Sequence, residues 1–325
     1  MRLIANPTAM TESPFILVLN AAEGLLQIII ARREADGTHT SLCAQAWHAP
    51  TQAAELLAPA LADAFRRLRI SPHDIGRIAA VRGPGSFTGL RLVLATASGL
   101  TRATGALQAG LDYLPLLAAS ALRAIPAQHR EGAVSDPARS MLSRRVWVFT
   151  HARRNLVHMQ GFQEQTAPII NGKVQHTPDA PVSLRPVCDI LVCPPEEAAL
   201  YLNHFEAEQP EQAEDKAVSL ALGSGLARNR ETFMRVFQSL PQAPLLLPPS
   251  FKHPSPEALL DAATGAAYGA ADPAPLYIRP ADAIDNLERI AASLGLDPEA
   301  AKQRLRELTE AGSTSYHGKL PSVSG

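Results

Sequence analysis

Apolar positions in the first third of the chain alternate between short continuous runs and helical spacing. The run Phe15–Asn20 has strand length and is closed by the turn formers Asn20 to Gly24. The pattern predicts a second strand over Leu25–Ala31 and a third over Thr38–Trp47, an antiparallel meander. From Thr51, read as an N-cap, Leu56, Leu57, Ala60, Leu61, Ala64, Phe65 and Leu68 recur at helical spacing until Ser71-Pro72. Ile75–Val81 then reads as a strand, Arg82 to Ser86 as a turn, Phe87–Ala103 as a helix stopped by Gly105, and Leu107–Leu111 as a strand.

A looser version of this order recurs downstream. Val146–Thr150, Leu156–Phe162 and Ile169–Val174 read as a second meander. Ile190–Cys193 reads as a strand before a helix over Glu196–Phe205, and Val218–Leu222 as a strand before the turn Gly223-Ser224-Gly225 and a helix over Leu226–Leu240. Element order alone, without residue-level self-similarity, therefore predicts an α/β chain of two lobes, each βββαβα. The first lobe is placed at 15–112, the second at 113–286, and a helical tail at 287–325 ending in disorder after Gly312. In that tail Leu287, Ile290, Leu294, Ala301, Leu305 and Leu308 form an amphipathic pattern. The stretches Ala127–Ser140, Gln175–Pro186 and Glu206–Lys216 mix Pro, charged and small residues without period and read as surface loops.

Charge changes this picture in one respect. Charged residues make up only 19% of the 325 residues and the formal net charge is −1. A charged fraction below the usual ~25% fits a surface partly hidden against a partner, or a large core. Without a global excess of Lys and Arg, contact with nucleic acid is local or borrowed from a partner. Arg144, Arg145, Arg153 and Arg154 form a small basic cluster, read as a solvated face with RNA phosphate as the alternative. Cys43, Cys188 and Cys193 are too sparse and irregular for a disulfide framework or a structural zinc site, and Cys188 and Cys193 read as small core residues. The segment Met1 to Pro14 lacks the apolar stretch of a signal peptide, and no run reaches the ~20 apolar residues of a membrane span. A cytoplasmic location is the expectation.

The sharpest local feature is Gly83-Pro84-Gly85-Ser86-Phe87-Thr88-Gly89-Leu90-Arg91, between a predicted strand and a predicted helix. Glycines permit a tight turn and Ser86 suits an N-cap. Free N–H groups at such a helix start can hold an anion. The lysine and hydroxyl of a phosphate-cradling P-loop are missing, so a purely structural turn stands beside phosphate binding. The helix that follows is apolar around most of its circumference: Phe87, Leu90, Val93, Leu94, Ala97 and Leu100 cover one side, while Ala95, Ser98 and Gly99 keep another side small. Such a helix is buried on two sides, either within the chain or against a partner helix, with Arg91 and Arg102 placed to ring a contact.

The string GPGSFTGLR resembles the signature of the TsaB (YeaZ) family. His151-Ala152-Arg153-Arg154 is similar to the family's Asp-Ala-Arg-Arg/Met segment, Gly223-Ser224-Gly225 to its Gly-Asp-Gly turn, and Pro275 through Ala283 to its closing Pro-x-Tyr-Leu-Arg…Ala segment. The resemblance covers about Phe15 to Ala283 and implies the two-lobed actin-like ATPase fold. It also implies a non-catalytic subunit that pairs with the catalytic protein TsaD, works with the ATPase TsaE, and forms a homodimer when alone. The complex uses ATP and transfers threonylcarbamoyl to the adenosine next to the anticodon of ANN-reading tRNAs; tRNA is met only through the complex, and this chain is expected to bind no cofactor or metal.

Departures from the family pattern strengthen that last expectation. Asn20 stands where catalytic relatives keep an acidic residue, Ala21-Ala22 where the family often has Thr-Ser, and His151 where it has Asp. An amide lacks the charge that Mg²⁺ favours. None of the ten histidines forms the His-x-x-x-His spacing of the sister subunit's metal site, and His151 and His158 read as ordinary polar positions on opposite faces of a hairpin. The family's interface is formed by the first two helices, which makes Leu57, Leu61, Phe65, Leu90, Arg91, Leu94, Ala97 and Ser98 the expected interface residues. The alternative is an enzyme acting alone, an actin-like ATPase or small-molecule kinase.

Overall fold

The computed structural model describes residues 13–278 except 126–142, 154, 166–168, 171–172, 175–180, 209–216 and 239–242, together with a few residues between 297 and 304. The chain divides into a large unit, Met1–Leu276, and a small one, Tyr277–Gly325. The expected tail helices fall almost wholly outside the described residues.

Strands β1 (Phe15–Asn20), β2 (Leu25–Arg33), β3 (His39–His48), β4 (Ile75–Gly83) and β5 (Leu107–Asp112) form one sheet in the order β3-β2-β1-β4-β5. The first three are antiparallel, and β4 and β5 run parallel to β1. Helices α1 (Ala53–Leu68) and α2 (Phe87–Thr104) connect them. The sheet is buried on both faces, which is why its strands read as continuous apolar runs. One face (Leu17, Leu19, Ile28, Ile78) packs with Leu57, Leu61, Phe65, Val93, Leu94 and Ala97 of the two helices. The N-cap of helix α1 is Gln52, which makes no side-chain cap bond, and not Thr51; its C-cap is Arg69 in the left-handed conformation, φ 55°. Ser71 instead caps a short 3-10 turn at Pro72–Asp74.

The second sheet repeats the order. Strand β6 (Arg144–Arg153) pairs antiparallel with β7 (Leu156–Glu164) and parallel with β12 (Val218–Leu222), which in turn pairs with β13 (Leu245–Leu246). The third meander position differs from expectation. Ile169–Ile170 (β8) and Lys173–Val174 (β9) pair with each other, while β10 (Leu184–Pro186) and β11 (Leu191–Cys193) both lie antiparallel on β7. Leu191–Cys193 is therefore the meander's outer strand, and the chain passes from it directly into α4 (Pro195–Ala207). The expected helix over Leu226–Leu240 is two pieces, α5 (Ser224–Arg228) and α6 (Arg230–Phe237), joined at Asn229. The three cysteines are free and half-buried.

Two further helices escape the spacing analysis. Helix α3 (Tyr113–Ala124) follows β5, and α7 (Pro256–Thr264) follows β13, one after each repeat. They pack together and belong to one buried cluster that takes Ile16, Val18 and Ala79 from the first sheet and Val146, Val148 and Leu222 from the second. After β13 the chain thus returns to the first sheet, where α7 lies against β1 and β2. The basic cluster also departs from expectation. Arg144 and Arg145 are 7% and 8% exposed; Arg144 Nε donates to Glu164 at 2.6 Å, and Arg145 Nη1 donates to Glu206 at 2.6 Å. They are buried, paired cations, not a solvated face or an RNA contact. Arg154 lies outside the described residues.

Because Leu117 is fully buried in the cluster shared by both sheets, Leu117→Ala is expected to cost about 2–5 kcal/mol. In a Trp47→Phe background, where Trp147 fluorescence alone reports the second sheet, and by far-UV circular dichroism, which reports both, the urea midpoint should fall equally. A loss seen by one probe alone would separate the two sheets energetically.

Candidate functional site at the glycine-rich loop

The loop 83–89 leaves β4 and opens α2. Ser86 Oγ accepts from the Gly89 N–H at 3.3 Å, the N-cap that its sequence position suggests. The loop rests on the turn after β1. The Ser86 N–H donates to the Ala22 carbonyl at 2.5 Å. A Cβ on Gly85 would lie 2.5 Å from the Ala22 oxygen, and one on Gly89 would lie 2.0 Å from the Ala21 oxygen. These glycines therefore serve close backbone approach. The N–H groups of Ser86 and Gly89, placed by sequence to receive an anion, are already bonded within the protein. Pro84 is buried and Phe87 and Thr88 are exposed; the Arg91 guanidinium lies 3.7 Å from the Phe87 ring centre.

Asn20, at the end of β1, is 1% exposed. Its Nδ2 donates to Gln27 Oε1 at 2.7 Å, its Oδ1 accepts from the Ala22 N–H at 3.0 Å, and Gln27 Nε2 donates to the Pro254 carbonyl at 2.9 Å. This neutral chain ties β1, β2 and the segment before α7 together. The amide is satisfied by the protein on both ends.

One carboxylate that the sequence reading passed over does enter this region. Glu23, in the β1–β2 turn, accepts from Ser224 Oγ, and the Tyr113 hydroxyl lies 3.3 Å from its other oxygen. Ser224 Oγ also accepts from the His151 N–H at 2.9 Å. Glu23, Tyr113, Ser224 and the end of β6 thus meet where the two repeats face each other. Burial pushes the Glu23 carboxyl up to about 7, against the opposing pull of its hydrogen bonds and of Arg228. Burial and the Arg228 charge hold His151 below the usual imidazole range. His158 is buried, with Nδ1 3.3 Å from Thr150 Oγ1. Among the described residues, no three His, Cys, Asp or Glu side chains come together as metal ligands.

The expected interface residues separate into two groups. Leu57, Leu61, Phe65, Leu90, Leu94 and Ala97 are all 7% exposed or less and fill the chain's own core. Helical spacing marked the side of α1 and α2 that faces the sheet. The outward side of α2 carries Arg91, Ala95, Gly99 and Arg102. Ser98 Oγ donates to Asp272 at 2.8 Å, and Arg102 Nη2 donates to the other oxygen of Asp272 at 2.6 Å, so this edge is partly engaged within the chain.

Two outcomes are expected. Gly89→Ala should destabilise the chain by about 2 kcal/mol or more, since backbone must shift, whereas Gly99→Ala, with nothing within 4 Å of its Cβ, should be neutral or stabilise by up to about 1 kcal/mol; chemical denaturation of both variants checks this. Glu23 is raised from its ordinary 4.5 to about 7, so its contribution is fully present below 4.5 and is lost as pH rises through 7. Relative to Glu23→Gln, the native chain should lose up to about 3 kcal/mol across that window. A flat difference in denaturation midpoint with pH would contradict the buried carboxylate.

Residues 48–128 match the family model described as TsaD: tRNA N6-adenosine threonylcarbamoyltransferase. No curated protein matches the chain. Among solved structures, an uncharacterized protein with similarity to peptidase YEAZ from Pseudomonas aeruginosa is 22% identical, with a TM-score of 0.56, covering 82% of this chain and 99% of that one. YeaZ from Pseudomonas aeruginosa is also 22% identical, with a TM-score of 0.50 over 77% of this chain and 90% of that one. The two-sheet architecture built above is the fold of these proteins, and no helix of the described residues is long and apolar enough to cross a membrane. The glycine-rich loop lies between β4 and α2 inside the matched segment, and the fold around it is shared with the YeaZ structures.

Proposed function

We infer that this chain is a non-catalytic subunit that binds and supports a TsaD-type protein in the transfer of threonylcarbamoyl to tRNA adenosine. The observation that carries this reading is the filled loop. Where a nucleotide-binding relative needs free N–H donors and a carboxylate, Ser86 N–H is spent on Ala22 and the strand-end residue is an amide engaged by Gln27 and the Ala22 N–H. A site in that condition has lost its pull on phosphate and metal, while the helix that follows the loop keeps a small, outward side. In this reading α2, with the exposed side of α1, meets the partner; ATP is used by the assembly together with TsaE, and tRNA is met through the complex. Alone, the chain pairs with itself through the same side.

The alternative, an ATPase or small-molecule kinase acting alone, has one observation in its favour. Glu23 holds its proton near neutrality beside Ser224 and Tyr113, a poise suited to acid–base work.

Co-expression with the TsaD protein of the same organism, followed by size-exclusion chromatography with light scattering, separates these readings. A heterodimer is expected, weakened at least about tenfold by Ala95→Glu, which sets a charge in the helix contact. Ala95 is the informative position because it is exposed; a charge at Leu94 or Ala97, buried in the chain's own core, would unfold the chain itself. Separate elution, with ATP turnover by the isolated chain that Glu23→Gln abolishes, would establish the enzyme instead.

A further inference from the structure

The end of the first sheet farthest from the glycine-rich loop holds a second polar site. Strand register defines it. His39 pairs directly with Arg33 across β2 and β3, and Ile16 pairs with Arg77 across β1 and β4. Along β2, Ile29 faces the cluster shared by the two sheets, so Arg33, four residues on, faces the same side. Arg77 precedes Ala79 and Val81 of that cluster by two and four residues. All three side chains thus project from one face of the sheet, past the point where α7 covers it. There they line a cavity of about 340 Å³ together with Ser13, Ile16 and Glu34.

The charges in this cavity are unbalanced. Among the described residues, neither Arg33 nor Arg77 has a carboxylate partner; the Arg77 guanidinium sits 5.3 Å from the Tyr268 ring centre, which fixes it. Glu34 is held by Arg32, with Oε1 3.2 Å from Nε and 3.0 Å from Nη2. His39 Nε2 is buried with no hydrogen-bond partner. A buried polar atom without a partner calls for a ligand, water or ion in the same space. Burial and the charges of Arg33 and Arg77 hold His39 below the usual imidazole range, so it enters neutral, able to donate through Nε2–H.

We propose that this cavity is a binding site for the phosphate group of a small phosphomonoester, gripped by the Arg33 and Arg77 guanidiniums and by His39 Nε2. Planar guanidiniums match phosphate oxygens two at a time. The volume exceeds what a bare phosphate fills and sits at the low end of small-ligand pockets, roughly 300 Å³ and upward, so the carrier is a short chain or single ring. The site owes nothing to the partner-subunit reading: it lies at the opposite end of β1 from Asn20, and none of its residues belongs to α1 or α2.

The test is titration of the full chain with inorganic phosphate and with glycerol 3-phosphate, followed through the imidazole NMR signals of His39 and by calorimetry, with tRNA as a separate arm. Saturable shifts of His39 are expected with both small anions, tighter for the ester. Arg33→Gln and Arg77→Gln should each weaken binding about tenfold, Glu34→Gln should tighten it, and Arg235→Gln, exposed on α6, should leave it unchanged. Arg77→Lys, which keeps the charge and loses the fork, should fall between native and Arg77→Gln, and it serves if the Gln variant misfolds. No response of His39 to either anion, a response untouched by the Arg33 change, or binding of tRNA alone would each overturn the proposal.

Discussion

Two missing Cβ atoms govern the centre of this molecule. Gly85 and Gly89 let the loop that opens α2 lie directly on the Ala21 and Ala22 carbonyls, at separations no side chain would survive. That contact sets where α2 begins, and α2 in turn covers the sheet with Val93, Leu94 and Ala97. It also fixes the β1–β2 turn, and with it the position of Glu23 against Ser224 of the second repeat. The same short residues at 21 and 22 that allow this seating offer no hydroxyl to a phosphate. Close packing of the loop and the bonding of the Ser86 N–H to Ala22 are, in this chain, one structural feature.

The hydrophobic pattern disclosed the first sheet almost strand by strand, because β1, β2 and β4 are buried on both faces and their apolar runs are uninterrupted. It failed in the second meander, where the outer strand is split into β10 and β11 of three residues each, too short to carry a period. Helix α3 was missed for the opposite reason. Tyr113, Leu114, Leu116, Leu117, Ala118, Ala121 and Leu122 are all buried, so there is no polar face to give the helix a period against which to be recognised. Six of the eight expected interface residues, Leu57, Leu61, Phe65, Leu90, Leu94 and Ala97, are core for a related reason. Spacing at three and four residues identifies the stripe a helix buries, and in α1 and α2 that stripe is spent on the chain's own sheet.

Local reading also loses information wherever charge balance is made at long range. Arg144 and Arg145 look like a basic patch in sequence, yet their partners Glu164 and Glu206 stand 20 and 61 residues away and are brought to them by the β6–β7 hairpin and by α4. Glu206 further accepts from the Trp147 indole N–H at 2.8 Å and from Ser219 Oγ at 2.6 Å, so one carboxylate closes the edge of β6, β12 and α4 together. Such a network is costly to break, because removing any member strands a buried charge.

The opposite imbalance appears at the far end of the first sheet. A near-neutral total, −1 over the whole chain, is compatible with two guanidiniums and an imidazole nitrogen that have no partner among the described residues, because net charge says nothing about where charges are left uncompensated. The contrast with Arg144 and Arg145 is instructive: the same residue type, near a strand end, is neutralised by a carboxylate in one sheet and has no carboxylate partner among the described residues in the other. Arg33 and Arg77 line one cavity with no carboxylate partner among the described residues, and their like charges oppose that placement. An anionic ligand removes that repulsion and satisfies His39 at the same time, which makes this end of the sheet the place where the chain's polar groups are organised for something other than its own packing.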